Sequence, residues 1–383
     1  MSMETNPPEY KTPGQLIEGL LAARGWTKRT LAVVLGVDES TVNRWTADKQ
    51  AINASIALSL EDVLDAPAER FLELQREFDL AKARFAHRPD PGRKNRLHLF
   101  GGLPISEMIK RGWIAADDIR DVPAVERGLT KFFGVAKPDE IEILPHAAKK
   151  TMVASEPTPT QLAWLYRVKT IASEMLVPKY SPEALDRAIK ALKLLTEAPE
   201  EARKVSRILA DCGIRFVIVE SLPSAKIDGV CFWLDDNSPV VGLSLRHDRI
   251  DNFWFVLRHE LEHVRQGHGK LAMILDTELE GARAGTGETI SEEERVANEA
   301  ASNFCIPSAQ MDGFIARKAP FFSERDMIGF ARTLKVHPGL VAGQLQHRTQ
   351  RYDRFRQHLA PIRTHVISGA AVDGWGNIYP VDD

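Results

Sequence analysis

Two histidines four residues apart, with a glutamate directly after the first, stand at His259-Glu260-Leu261-Glu262-His263. On an α-helix this spacing places both imidazoles on one face, where they can bind a single metal ion. Glu260 falls beside that face, placed to take a proton from a water held there. Zinc brings the pKa of such a water to about 7, so the chemistry indicated is hydrolysis at neutral pH. A helix carrying two solvated histidines is the plainer reading of these five residues alone. Two His and one Glu form a known catalytic zinc set with its fourth position open, so a further carboxylate is required. Glu292, Glu293, Glu294 and Glu299 all offer one. They belong to a stretch in which Ala297, Ala300, Ala301 and Phe304 recur at three- and four-residue spacing, which predicts a second buried helix ending at Pro307. Glu294 would stand near its start, on a face shared with Asn298. His268, five residues past His263, reads as a helix-end cap rather than a ligand.

These helices need a platform. Asp251 is a cap candidate for a helix that carries Phe253, Trp254, Val256 and Leu257 into the His-Glu motif. From about Gly213 to Pro307 the chain resembles the ImmA/IrrE-type metallopeptidase domain. That family shows a strand, a short hairpin, an Arg-containing strand end, a His-Glu-x-x-His helix, and a further helix with Glu thirteen residues before Pro. The resemblance implies strands at Ile214–Glu220, Gly229–Leu234 and Pro239–Arg246. Glu294 stands thirteen residues before Pro307, so the resemblance selects it over its neighbours. It implies a zincin-like domain with a small sheet, Zn2+ held by His259, His263 and Glu294, and Glu260 as the catalytic base. It also implies a repressor protein as substrate, and links to stress response, mobile elements or toxin–antitoxin control. The strand near Pro239 to Leu245 is expected as a sheet edge that holds the substrate backbone by strand addition. The chain departs from the family at Glu262, where Gly is usual; a carboxylate there bears on zinc affinity and activity.

A second motif lies near the N-terminus, in Lys28 to Trp45. Thr27 can cap a helix whose Leu31, Ala32 and Leu35 face inward, Gly36 suits a left-handed turn, and Val37, Val42 and Trp45 pack a following helix. Ser40, Thr41, Asn43 and Arg44 are left facing outward, able to meet base edges and phosphates in a major groove. The alternative is a helical hairpin used for protein contacts. Lys28, Arg29, Arg44 and Lys49 are nearly offset by Asp38, Glu39 and Asp48, so the electrostatic footprint is modest. From Pro13 to about Lys82 the segment resembles the XRE-type, repressor-like domain of HigA-type antitoxins, which carry a similar Pro-Gly start, Arg-Gly-Trp and a trailing Phe-Leu-x-Leu-Gln. The resemblance implies binding of operator DNA as a homodimer, with half-sites about one helical turn apart.

The 383 residues suffice for two or three domains, and a net charge of −3 argues against a general nucleic-acid coat while allowing one local DNA-reading surface. The three cysteines, Cys212, Cys231 and Cys305, form no disulfide framework and fit a reducing compartment. The first residues lack a signal-peptide core and no apolar run is long enough for a membrane span, so a cytoplasmic protein without a membrane partner is expected.

The expected organisation is a helix-turn-helix DNA-binding domain over 13–85, a linker over 86–102, a helical connector over 103–205, the metallopeptidase domain over 206–310, and a C-terminal helical extension and tail over 311–383. The fold class is α+β and predominantly helical. In the extension, Ile328 to Leu345 suggests a second helix-turn-helix-like pair in which Lys335 replaces the turn glycine, so packing is expected of it rather than DNA reading. His337 is expected as a structural cap. The apolar tail from Val366 to Val381 could cross the peptidase cleft as an extended strand and restrain it. The whole reads as an operator-binding regulator fused to a zinc endopeptidase that acts on a repressor or meets a toxin partner. A non-catalytic, antitoxin-like repressor with a structural or sensing metal site is the competing class.

Overall fold

In a computed structural model of the protein, residues 10–87, 92–141, 157–270, 273–277 and 291–379 are described, and the chain divides into two units, Met1–Pro91 and Gly92–Asp383. The first unit is helical: α1 (Pro13–Arg24), α2 (Lys28–Leu35), α3 (Glu39–Thr46), α4 (Ala54–Leu64) and α5 (Ala68–Ala86). Its helix starts follow the local chemistry. Thr12, Thr27 and Asn53 each accept a backbone N–H of the first turn, as side-chain caps do. Gly36 takes φ 68° between α2 and α3, a left-handed conformation that costs glycine little. Ile17, Leu31, Ala32, Val42, Trp45, Leu60, Leu64 and Phe71 form the core beneath that turn.

The second unit opens with α6 (Arg93–Gly102), α7 (Ile105–Lys110), α8 (Val122–Phe133), α9 (Pro159–Glu174), α10 (Pro182–Lys193) and α11 (Val205–Asp211). Residues 93–102, expected as the second half of a linker, are therefore helical. The strands β1 (Arg215–Val219), β2 (Ile227–Trp233) and β3 (Pro239–Leu243) precede the long helix α12 (Ile250–Gln266). There follow β4 (Ile274–Thr277), α13 (Glu292–Cys305), α14 (Ser308–Lys318), α15 (Glu324–Leu334), α16 (Pro338–Thr349), α17 (Arg363–Ile367) and β5 (Ala371–Asp373).

The five strands form one mixed sheet in the order β4-β2-β3-β1-β5. β1 runs parallel to β3 and β5, while β2 is antiparallel to β3 and β4. Alternate side chains enter two different cores. Phe216, Ile218, Cys231, Trp233, Val241 and Leu243 join the cluster beneath α12, whereas Val217, Val219, Val230, Phe232 and Val240 join the cluster beneath α9. Helices cover both faces, which explains the near-continuous apolar runs of β1 to β3.

This topology corrects three expectations. Pro239–Leu243 is not an edge, because β2 and β1 flank it; the site-side edge is β4. The tail does not cross the metal motif: β5 pairs with β1 at the opposite edge of the sheet. There Asp373 accepts from Trp113 Nε1 at 2.7 Å and pairs with the buried Arg167 of α9. Asp251 does not cap α12, since the helix starts one residue earlier; its carboxylate pairs with Arg249, the residue at the cap position. Lys335 adopts φ 54° between α15 and α16, and Leu340, Val341, Ala342 and Leu345 of α16 are buried in the α12-side core. That pair is therefore used for packing.

Candidate metal centre and helix-turn-helix face

His259, Glu260 and His263 project from the face of α12 turned toward the sheet, and all three are fully buried. The two Nε2 atoms lie 3.1 Å apart. From α13, Glu294 places one carboxylate oxygen 3.3 Å from His259 Nε2 and the other 3.3 Å from His263 Nε2. From β4, Asp276 places Oδ2 3.2 Å from His259 Nε2. The four groups offer donor atoms that all lie within 4.8 Å of one another. A tetrahedron with zinc–ligand bonds of about 2.0–2.1 Å has edges of about 3.3–3.4 Å. The 3.1–3.3 Å spacings from His259 to His263, Glu294 and Asp276 and from His263 to Glu294 suit one zinc ion, while the separation of up to 4.8 Å within the full set is wider than such an edge.

The surroundings orient the donors. Asn298, one helical turn after Glu294, lies with Oδ1 3.1 Å from His259 Nδ1. With that oxygen accepting the Nδ1 proton, the Nε2 lone pair faces the cluster, as metal-ligating histidines require. His263 Nδ1 stands 3.0 Å from His268 Nδ1, and donating to it would leave His263 Nε2 free in the same way. His268 thus touches a candidate ligand, while the end of α12 is capped by Gly267 at φ 74°. Burial pushes His259 down, but its contacts with Asp276 and Glu294 outweigh this and lift the imidazole to about 9. Burial also pushes Glu294 up, and the two histidines outweigh it, holding the carboxyl at about 2.

Glu260 differs from its neighbours. Its carboxyl shares a side-chain contact with that of Asp276, and burial, reinforced by the charge of Asp276 and by this contact, raises its pKa well above the usual carboxylate range. Space for it comes from β2. A Cβ added at Gly229 would stand 2.1 Å from Glu260 Oε1. Gly229 is also the partner of Asp276 across the β2–β4 ladder, beside a register shift between Ile227 and Gly229. Just before it, Asp228 receives Arg246 in a forked pair at 2.9–3.1 Å, which ties the end of β3 to the start of β2.

Glu262 turns away from this cluster. It accepts from Arg258 at 2.6 Å, from Gln266 at 2.7 Å and from Arg265 at 3.3 Å. Its charge is spent on the far side of α12. Among the residues singled out in the sequence, the structure gathers His259, Glu260, His263 and Glu294; Glu292 and Glu299 instead pair with Arg295. Asp276 was missed. The signal was present as the first acid after the apolar run Met273-Ile274-Leu275, between the two helices that carry the other donors.

In the N-terminal unit, Ser40, Asn43 and Arg44 are exposed on α3, and Thr41 is half-buried with its hydroxyl accepting from Arg44 Nη2 at 3.1 Å. Val42 and Trp45 hold the opposite side of the same helix in the core. Arg44 therefore has a fixed side-chain neighbour, and Asn43 stands free to reach outward.

A two-helix turn unit with an exposed second helix defines a DNA-binding class of domain, and a buried His/Glu/Asp donor set on a helix-and-sheet frame defines a metallohydrolase-like one. The family comparisons agree: residues 17–71 match the helix-turn-helix family, and residues 212–349 match the IrrE N-terminal-like domain, a family classed among the peptidases. The chain thus joins a helix-turn-helix domain to an IrrE-like peptidase-class domain. No curated protein matches the chain. Among the described residues, no helix is long and apolar enough to cross a membrane.

Proposed function

We propose that this protein is a cytoplasmic DNA-binding regulator whose second domain is a zinc-dependent endopeptidase acting on a repressor-type protein, in a toxin–antitoxin or mobile-element setting. The observation that carries the reading is the donor set: His259, His263 and Glu294 hold Nε2 and carboxylate oxygens at zinc-like spacing, with the buried Glu260 carboxyl beside them. Zinc bound there would supply a Lewis acid that acidifies water and polarises a peptide carbonyl. His259, His263 and Glu294 would hold the ion, with Asn298 and His268 fixing the imidazoles. Glu260 would take the proton from the attacking water and return it to the departing amine, a role suited to a carboxylate whose proton affinity burial has raised. The outer edge of β4, unpaired among the described residues, would align an extended substrate segment by backbone pairing. Ser40, Thr41, Asn43 and Arg44 would read operator DNA, with a second copy on the other half-site.

A second reading, a non-catalytic repressor with a structural or sensing metal, is favoured by one observation: Asp276 adds a fourth protein donor, and closed four-ligand sites are the structural kind.

Metal content by plasma mass spectrometry, measured with cleavage of repressor-type proteins, tests the main reading. Wild type and Glu260→Gln should hold near-stoichiometric zinc, Glu294→Ala should lose it, and only wild type should cleave. Zinc in the wild type without cleavage of any candidate would favour the second reading.

A further inference from the structure

We propose that Asp276 is a displaceable fourth protein ligand, so that the resting centre is a closed set of two histidines and two carboxylates. The proposal rests on the reading of His259, His263 and Glu294 as metal ligands and adds the residue that decides whether the centre is open. Asp276 Oδ2 lies 3.2 Å from His259 Nε2, as close as either Glu294 oxygen comes to an imidazole. The carboxyl is buried, and it faces His259 Nε2, 3.2 Å from Oδ2, and the Glu260 carboxyl. Acidic side chains packed together against an imidazole in a buried site are costly unless a cation neutralises them, so the arrangement suits an ion. Charge agrees: two neutral imidazoles and two carboxylates balance a dication, whereas one carboxylate leaves a net positive centre.

Asp276 also sits where it can leave. His259 and His263 are fixed to the C-terminal half of the 17-residue helix α12, and Glu294 to the first turn of α13. Asp276 belongs to the four-residue edge strand β4, paired only with β2 among the described residues, and beside a register shift at Gly229. Edge strands next to bulges yield more easily than interior ones. An extended segment that pairs with the outer edge of β4 would act on the strand that carries the fourth ligand. Substrate arrival and opening of the coordination position are thereby coupled through one short element.

The test uses the full-length protein loaded with cobalt(II), read by visible absorption and by competition with a chromophoric chelator. Azide is the probe of an open position. In the wild type, azide should leave the spectrum unchanged. In Asp276→Ala it should shift the spectrum saturably, and cobalt affinity should drop by at least about tenfold, the scale of loss seen when a metal site loses a supporting group. Asp276→Asn keeps the shape of the side chain, and should show the same azide response with a smaller affinity loss should the Ala variant fail to fold. Overturning results are a wild type that already responds to azide, or an Asp276→Asn protein with wild-type spectrum and affinity. In either case cobalt binding that still depends on Glu294 would leave the three-ligand centre standing. A wild type that binds no cobalt would remove that centre, and this proposal with it.

Discussion

At the scale of single residues, the centre depends on an atom that is missing. Gly229 has no Cβ, and that gap is where the Glu260 carboxylate lies. Gly229→Ala would put a methyl 2.1 Å from Oε1 and 2.8 Å from the carboxyl carbon, both far inside contact distance. Either Glu260 or β2 must move. The ligating atoms of His259, His263 and Glu294 are not among the nearest contacts, so metal content should persist while cleavage falls by about a hundredfold, the cost of displacing a positioned catalytic group. Kinetics and metal analysis on one sample check this; cleavage within about threefold of wild type would show that Glu260 is not held where the reaction needs it. Glu262 shows the opposite lesson. The sequence puts a carboxylate one residue before His263 and raises the question of its effect on zinc. Helical geometry turns it to Arg258, Gln266 and Arg265, a direction that three-residue context cannot disclose. The histidines and Glu260 were legible because a helix repeats every 3.6 residues and fixes which neighbours share a face, whereas Glu294 stood out from Glu292, Glu293 and Glu299 only through the family resemblance. Asp276 was not legible, because an acid in a short strand acquires meaning only from its cross-strand partner.

At the scale of elements, caps were easier to foresee than pairings. Thr27 and His337 each accept a first-turn N–H, as their types and positions suggested, and Ser323 does the same for α15. His337 brings a pH dependence with it. Its Nδ1 accepts from Gly339 N at 3.0 Å, which only an unprotonated Nδ1 can do. Burial, aided by the charge of His358 and opposed by Glu200 and Asp251, lowers its pKa below the usual value near 6.5. The unfolded chain therefore takes up the proton first. The cap contributes fully above about 6.5, and its contribution is lost as pH falls below that value. A cap is worth about 1 kcal/mol, or about 2–3 °C in Tm for a unit of this size. His337→Asn keeps an acceptor that does not titrate, so its Tm should fall less than that of the wild type between pH 7 and 5.5. Parallel Tm curves would exclude the role. Strand order, by contrast, is set by pairings distant in sequence. The run Pro239–Leu243 reads as an edge until β1 pairs with it on the side away from β2, and nothing local announces that parallel pairing. Asp373 is the anchor of that tail, and it leaves Arg167 and Trp113 without their carboxylate if removed. Asp373→Ala should therefore cost about 3–5 kcal/mol, as for a buried ion pair broken on one side. Metal content of the folded protein should not change. Faster cleavage with unchanged Tm would instead revive a tail that restrains the site.

At the scale of the whole molecule, each unit has its own hydrophobic interior. Among the described residues, one cluster runs from Leu16 to Leu74 in the first unit, and two, on the two faces of the sheet, take their residues from Leu99 onward in the second. Within the second unit, the connector helices α6 to α9 are not a spacer. They cover the sheet face opposite α12, and α9 supplies Arg167 to the tail and Val168 to the space over Gly242. A peptidase fragment beginning at Gly213, where the family likeness begins, would expose Val217, Val219, Val230 and Phe232 to water. Burying side chains of this size is worth about 1.5–3 kcal/mol each, more than the margin of a typical domain when summed. Fragment 92–383 should therefore fold and bind zinc stoichiometrically, whereas 213–383 should be recovered aggregated or without a cooperative melt. Fragment 10–87 should melt cooperatively by itself and retain specific operator affinity per head. Its binding should weaken with salt only as steeply as a few phosphate contacts allow, because Arg44, Lys28, Arg29 and Lys49 are its cations near α2 and α3. Calorimetry and zinc analysis on the three fragments decide the point. A stable, zinc-loaded 213–383 would show that the sheet needs only one covered face. A 92–383 fragment unable to fold without the first unit would show that the two units are not independent.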